Sequence, residues 1–267
     1  MKLFRNILLL LLLTSIGYSQ NNLLKSGNNL IKIGNNILYI PFNQYSMLFD
    51  GVDESINTGT SSNLDQNDND WTISLWIKTT SASGFIYSEG KDVADNNLIG
   101  IRVISSKAGL FVRNNANTNT QRNSTGNVND GVWHNIIGTK IGDLYSLYLD
   151  GAFENSETVS LGNIPIEHTG IAVLARSTLG SYFTGNIDEV SIWKKGLSLT
   201  QAGETFNNRK PTNLLKHSAI ADLVNWWRMG DKSIWDGTDF TLIDQKGNVD
   251  GTSVNMEFSD KTISIAD

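Results

Sequence analysis

The sequence predicts an all-β protein: an antiparallel two-sheet β-sandwich, or jelly roll, with one short helix after the last core strand. Three observations carry this. From Tyr45 to about Trp193 the chain is a series of short apolar runs, of which Thr72-Ile73-Ser74-Leu75-Trp76-Ile77-Lys78 shows the clearest period-two alternation. Turn pairs such as Asp50-Gly51, Asp130-Gly131 and Asp150-Gly151 punctuate the runs. Little of the chain has helical periodicity, and many short strands with frequent turns are the substance of sandwiches and barrels.

Each element has its own warrant. The alternation places Ile73, Leu75 and Ile77 on one face of their strand, because successive side chains point to opposite sides. Phe85-Ile86-Tyr87, Ile99 to Ile104, Leu110-Phe111-Val112, Trp133 to Ile137, Leu144 to Leu149, Ile171 to Leu174 and Ile187 to Trp193 are similar runs. Asp65-Gln66-Asn67-Asp68-Asn69-Asp70 is a short acidic loop. Asn114 through Asn123 is almost wholly polar and is expected to be an exposed hairpin tip, having too little apolar area to order itself. Ser198, with Gln201 three positions on, has capping-box spacing and predicts a helix to about Phe206. Pro211 then starts an extension containing Trp226-Trp227-Arg228-Met229-Gly230-Asp231. Trp226, Trp227 and Trp235 form the apolar patch expected to dock it onto the sandwich.

Composition narrows the partners. With 267 residues the chain has room for one large β domain or two small ones. A net charge of −6 and the lack of any Lys/Arg cluster argue against nucleic acid, whose phosphates are bound by grouped cations. The absence of cysteine removes disulfides, thiolate nucleophiles and cysteine-based zinc sites, and favours a bacterial or phage source.

Lys2 and Arg5 precede an apolar run from Ile7 to Leu13, and Gly17-Tyr18-Ser19 supplies small residues for a cut before Gln20. Residues 1–19 therefore read as a secretory signal peptide and the mature chain as extracellular; an uncleaved anchor is the competing reading. The apolar run is shorter than the ~20 residues that span a bilayer, so no transmembrane segment is expected in the mature chain. Residues 20–44 form an Asn-rich, heptad-like leader. Its paired apolar residues, separated by Gly and Asn-Asn, suit short strands better than a coiled coil. It reads as a plain leader or as a stalk, the latter implying a homo-oligomer.

Several phrases then align with a known family. Phe49-Asp50-Gly51-Val52-Asp53, Trp71 through Lys78, Gly131-Val132-Trp133-His134, Leu147-Tyr148-Leu149-Asp150-Gly151 and Gly185-Asn186-Ile187-Asp188-Glu189-Val190 stand in family order and spacing. Together they resemble a laminin-G-like, concanavalin-A-like jelly-roll domain over residues 45–207. In the extension, 208–267, Leu223-Val224-Asn225-Trp226-Trp227, Asp244-Gln245-Lys246-Gly247-Asn248 and Gly251-Thr252 resemble the strand that normally opens such a domain. Here that strand comes last. Either it supplies the opening edge strand from the other end of the chain, or it begins a truncated second unit. The arrangement resembles secreted bacterial and marine phage proteins.

Candidate site residues follow from the residues and the resemblance. Asp188 is in phase with Val190 and Ile192, which the resemblance places in the core, where a carboxylate is costly unless paired or metal-bound. The resemblance implies a structural Ca²⁺ at Asp188, with Asp50 and Asp53 as companions; the alternative is that Asp188 caps a turn. Trp76, Tyr182 and Trp193 are candidate ligand-binding aromatics, since sugar rings stack on aromatic faces, with packing against a second layer as the competing reading. No strand carries the Glu-x-Asp-x-x-Glu spacing of jelly-roll glycoside hydrolases. Glu154 and Glu157 are expected in a turn, Asp188 and Glu189 on opposite strand faces. His134 belongs to the family phrase and is expected to be structural. The expected function is a secreted, non-catalytic recognition or adhesion module binding glycan or a protein surface. The alternative is an assembly component of a virion or bacterial surface layer, with a hydrolase the least favoured.

Overall fold

In a computed structural model the alternating runs become strands of two antiparallel sheets. It describes residues 43–59, 64, 69–91, 95–175 and 180–264, and the backbone of three short strands before them. Those three are β1 (Leu23–Ser26), β2 (Leu30–Ile33) and β3 (Asn36–Tyr39), an antiparallel meander in the leader. The segment expected to be a signal peptide, with Gln20 after it, lies outside the described residues, as do Asp65 to Asp68 of the acidic loop.

Residues 43–267 form a second unit. Its strands are β4 (Ser46–Asp50), β5 (Ser55–Asn57), β6 (Trp71–Lys78), β7 (Ser83–Gly90), β8 (Leu98–Ile104), β9 (Lys107–Arg113) and β10 (Asn119–Asn127). They continue with β11 (Trp133–Ile141), β12 (Leu144–Leu149), β13 (Ala152–Thr158), β14 (His168–Ile171) and β15 (Thr184–Trp193). Helix α1 (Leu199–Phe206) follows, then β16 (Leu223–Trp227), β17 (Ile234–Trp235), β18 (Phe240–Leu242), β19 (Gly251–Val254) and β20 (Lys261–Thr262). One sheet has nine strands in the order β10-β9-β8-β7-β14-β5-β19-β18-β17. The other runs β13-β12-β11-β6-β15-β4-β20, with β16 also paired to β15. Inward residues of both sheets, including Ile73, Leu75 and Ile77 of β6 and Ile99, Ile101 and Val103 of β8, make one core cluster.

The extension does not stand apart. β16 pairs with the second half of β15, with Trp227 opposite Val190, while β4 pairs with the first half, with Met47 opposite Ile187. β19 lies along β5 and β18 and β17 continue that sheet, while β20 lies along β4. Strands after residue 208 thus enter both sheets, and Trp227, Met229, Phe240, Leu242 and Met256 enter the core. The chain turns out of β16 through Gly230, where a Cβ would stand 2.6 Å from that of Tyr45. Only glycine lets the two segments approach so closely.

Two sequence expectations need correction here. Asn119 through Asn123 belongs to β10, leaving Asn114–Thr118 as the tip. The reason is that strand order does not require apolar area: β10 pairs with β9, and Thr120 and Arg122 both reach Glu157 on β13, at 2.6 and 2.8 Å. Glu154 and Glu157 are likewise on β13 rather than in a turn, with Glu154 accepting from the Thr125 N–H at 2.7 Å.

The capping box is present. Ser198 Oγ accepts from the Gln201 N–H at 3.3 Å, and Gln201 Oε1 accepts from the Ser198 N–H at 3.1 Å. Ser198→Ala is expected to lower stability by about 1 kcal/mol. A urea-denaturation midpoint unchanged at constant slope would show that the cap contributes nothing.

Candidate functional site

The outer faces of the two sheets differ in what covers them. On the eight-stranded sheet the outward side chains of β6 and β15 lie under α1 and the turns that follow it. Trp76 is 2% exposed and its ring stacks on Phe206, centroids 5.8 Å apart and planes 17° off parallel. Trp193 is fully buried, 4.6 Å from the His217 ring, and its indole N–H donates to Ser191 Oγ at 3.1 Å. His217 is fixed in turn, Nε2–H donating to the Gln201 carbonyl at 3.0 Å and Nδ1 accepting from the Ala219 N–H at 3.0 Å. Trp76 and Trp193 therefore do not stand on an open face. Their phase was read correctly, but the face they share is closed by a later part of the chain.

The outer face of the nine-stranded sheet is open around β7, β8 and β9. Ile99, Ile101 and Val103 point inward, so Arg102 points outward, opposite Phe85 on β7. Its guanidinium lies 5.5 Å from the Phe85 ring centroid and 4.4 Å from that of Phe111 on β9. Cation–π contacts of this kind stabilise a partly desolvated cation. Gly100 makes the packing feasible, because a Cβ there would come within 2.7 Å of the Phe85 ring. Beside Arg102 a hollow of about 210 Å³ is lined by Ser83, Phe85, Ser181 and Tyr182 among others. Ser181 sits at a φ of 50°, a left-handed conformation uncommon outside glycine, asparagine and aspartate. Tyr182, expected from sequence as a ligand contact, is half-buried in this lining. Phe85, Arg102 and Phe111 escaped the sequence reading, although Arg102 is the one charge in the run from Ile99 to Ile104.

Asp188 occupies a different environment from the one expected. β15 bulges between Asp188 and Ser191, where Glu189 has a φ of 50°. Asp188 pairs with Trp76 while Ile192 pairs with Ile73, so the extra residue reverses the phase and turns Asp188 to the outer side. It is nonetheless fully buried, because Asn43, just before β4, and the turn after β16 close over the bulge. Asn43 Nδ2 donates to Asp188 Oδ2 at 2.5 Å and the Glu189 N–H to Oδ1 at 2.8 Å. Glu189 does not oppose it across the sheet. Its carboxylate accepts from the Trp226 indole at 2.5 Å and from Arg228 Nε at 3.3 Å. Asp231 completes the network, taking the Gln44 and Tyr45 N–H groups at 2.9 and 3.2 Å. Burial, then the neighbouring Glu189, raises the Asp188 pKa well above its ordinary value. Burial also raises that of Glu189, to about 7, against the pull of Arg228 and Trp226.

Asp50 and Asp53 are not companions of Asp188. Asp50 pairs with Thr184, four residues from Asp188 along β15, or roughly 13 Å at strand spacing. Its Oδ1 caps the adjoining turn by accepting from the Val52 N–H at 2.7 Å, and Asp53 is exposed beside it. Among the described residues, no three acidic or histidine side chains stand close enough together to hold a metal ion. The hollow beside Glu189, lined by Ser74, Trp76 and Thr205, measures about 10 Å³, room for roughly one water molecule. His134 bridges Asp150 at 2.8 Å and Asp130 at 3.2 Å. Burial would lower its pKa, but the two carboxylates outweigh burial and raise it.

Two antiparallel sheets around one core, with α1 over the outer face of one of them, define a jelly-roll β-sandwich. Residues 50–202 match the laminin-G family model described as Concanavalin A-like lectin/glucanases superfamily, and the chain belongs to that family. No curated protein matches the chain in sequence. Among solved structures, a candidate carbohydrate binding protein from Bacteroides ovatus superposes with a TM-score of 0.60 at 13% identity, covering 91% of this chain and 71% of that one. The CBM40 of the Ruminococcus gnavus IT-sialidase gives 0.52 at 14% identity, covering 61% and 97%. The same domain bound to α2,3 sialyllactose gives 0.50 at 15%, covering 60% and 98%. At such identities the likeness is one of fold. No helix among the described residues is long and apolar enough to cross a membrane.

Proposed function

We propose that the protein is a non-catalytic carbohydrate-binding module, exported through residues 1–19, that takes its glycan on the open face of the nine-stranded sheet. One observation carries the reading: aromatic rings, a guanidinium and three hydroxyl side chains surround a surface hollow on a rigid sheet. Phe85 and the half-buried Tyr182 line the hollow with apolar ring surface, and Ser83, Ser181 and Tyr182 offer hydroxyls that make no hydrogen bond to another described residue. That mixture of flat apolar surface and unengaged polar groups suits a pyranose. The names of the Bacteroides and Ruminococcus neighbours support it. Against catalysis stands the position of the perturbed acid pair, Asp188 and Glu189, sealed beside a space no sugar enters.

A glycan array tests this. The folded protein is expected to bind a restricted set of glycans, and Tyr182→Ala to weaken that binding about tenfold, equivalent to 1.4 kcal/mol, with little loss of stability. A blank array from folded protein would overturn the proposal. One observation favours a second reading, assembly. Ile234 and Phe258, 57% and 65% exposed, flank Trp235 at the β17 edge, an apolar strand edge of the kind that pairs with another chain. Light scattering separates the two, since a monomer that binds glycan excludes assembly as the main role.

A further inference from the structure

The charge of the hollow says more than its shape. Arg102 is half-buried, and its pKa is lowered first by burial and then by the nearby Arg113 guanidinium, so a second cation influences it. Its Nη2 donates to the neutral amide of Gln121, and its Nε is buried without a hydrogen-bond partner among the described residues. Arg113 lies over the other part of the same platform, 5.7 Å from the Phe111 ring, with Nε donating to the Asn96 carbonyl at 2.8 Å. Among the described residues no acidic side chain lines the hollow. In a chain whose net charge is −6, two arginines lie over the half-buried Phe111 ring, and Arg102 forms no ion pair among the described residues. Its Nη1 is neither buried nor bonded to another described residue, and a guanidinium donates more strongly to a carboxylate or sulfate oxygen than to a neutral acceptor.

We infer that the glycan taken on this face is anionic, its carboxylate or sulfate seated on Arg102 beside Tyr182. This rests on the carbohydrate-binding reading and names the ligand class for that site. A neutral sugar would leave Arg102 without a charged partner, whereas an acidic one gains charge-assisted hydrogen bonds from it. The low exposure of the guanidinium limits screening, so the contact would keep part of its strength at moderate salt.

The test compares matched probes on the wild-type full chain by calorimetry. For carboxylates these are oligogalacturonate against its methyl ester, and sialyllactose against lactose. For sulfate they are a sulfated galactan against its desulfated form. At least one charged probe is expected to bind ten times or more tighter than its neutral counterpart, and the pair that discriminates tells carboxylate from sulfate. Arg102→Gln is expected to abolish the preference, while Arg102→Lys retains charge but loses the guanidinium and recovers only part of it. Because the matched pairs need no variant, a misfolded Arg102→Gln protein leaves the result readable. Equal binding of charged and neutral probes overturns the anionic ligand and leaves the carbohydrate-binding reading standing. Absence of binding to every probe and to the wider array overturns both.

Discussion

Replacing Trp227 by alanine is expected to destabilise the protein by about 3–5 kcal/mol, the range for truncating a large buried aromatic side chain. Trp227 belongs to the extension but not to its surface. It is fully buried in the common core, pairs with Val190, and donates its indole N–H to the Val249 carbonyl at 2.9 Å. Alanine would leave a cavity between the sheets and an unpaired carbonyl, two losses that add. For a domain of this size the melting temperature should fall by roughly 6–20 °C. Phe153→Ala is the control, being 51% exposed on β13, and should change stability far less. A Trp227→Ala loss below 1 kcal/mol would mean that the extension packs loosely on a sandwich that is stable without it.

The same residue shows what was legible in the sequence. The Leu223-to-Trp227 run reads as a strand of the opening type placed at the end of the chain, but the phrase pattern leaves open whether it joins the sandwich or begins a second unit. The core positions of β6 and β8 were legible because period two needs only local information. So was α1, whose capping box spans four consecutive residues. Covering is another matter. Whether Trp76 faces water depends on Phe206, and whether Trp193 does depends on His217, and nothing near either tryptophan encodes those contacts. The bulge at Glu189 was hidden for a related reason. A single left-handed residue reverses every later side chain of β15, yet Ile187 through Ile192 retains the composition of an ordinary strand. The platform of Phe85, Arg102 and Phe111 was the hardest to see. Its members sit on three strands, one residue from each, and only the sheet register brings them together.

Stability is expected to fall by on the order of 3 kcal/mol between pH 5 and pH 8, and Asp188→Asn should remove part of that fall. The sign follows from the junction at the β15 bulge. Asp188 and Glu189 have folded-state pKa values above those of the unfolded chain, Glu189 at about 7 and Asp188 raised in the same direction, and Glu54, raised by burial to about 7, adds to the fall from outside the bulge. The native state therefore holds more protons than the unfolded state. The stabilisation is complete below the unfolded carboxylate range and is lost as pH rises through the folded values, from about pH 5 upward. His134, also raised, loses its contribution in the same direction above its ordinary 6.5. Asp130, Glu204 and Asp236 have lowered values and protect the opposite side, so stability declines again as pH falls through their range. Asn43 is the side-chain partner of Asp188, and an amide pairs with another amide as well as with a protonated acid, so the asparagine variant keeps the hydrogen bond without the buried charge. Arg228 retains Glu189 and Asp231, so the variant leaves no cation stranded. Melting curves at pH 5 and pH 8, with and without calcium, decide the matter. Asp188→Asn should match the wild type at pH 5 and exceed it at pH 8. A calcium-dependent rise of the wild-type melting temperature at pH 8 that Asp188→Asn abolishes would reverse the conclusion: the carboxylate would then be ionised and held by a cation, and the buried bulge would be a metal site in place of a proton store.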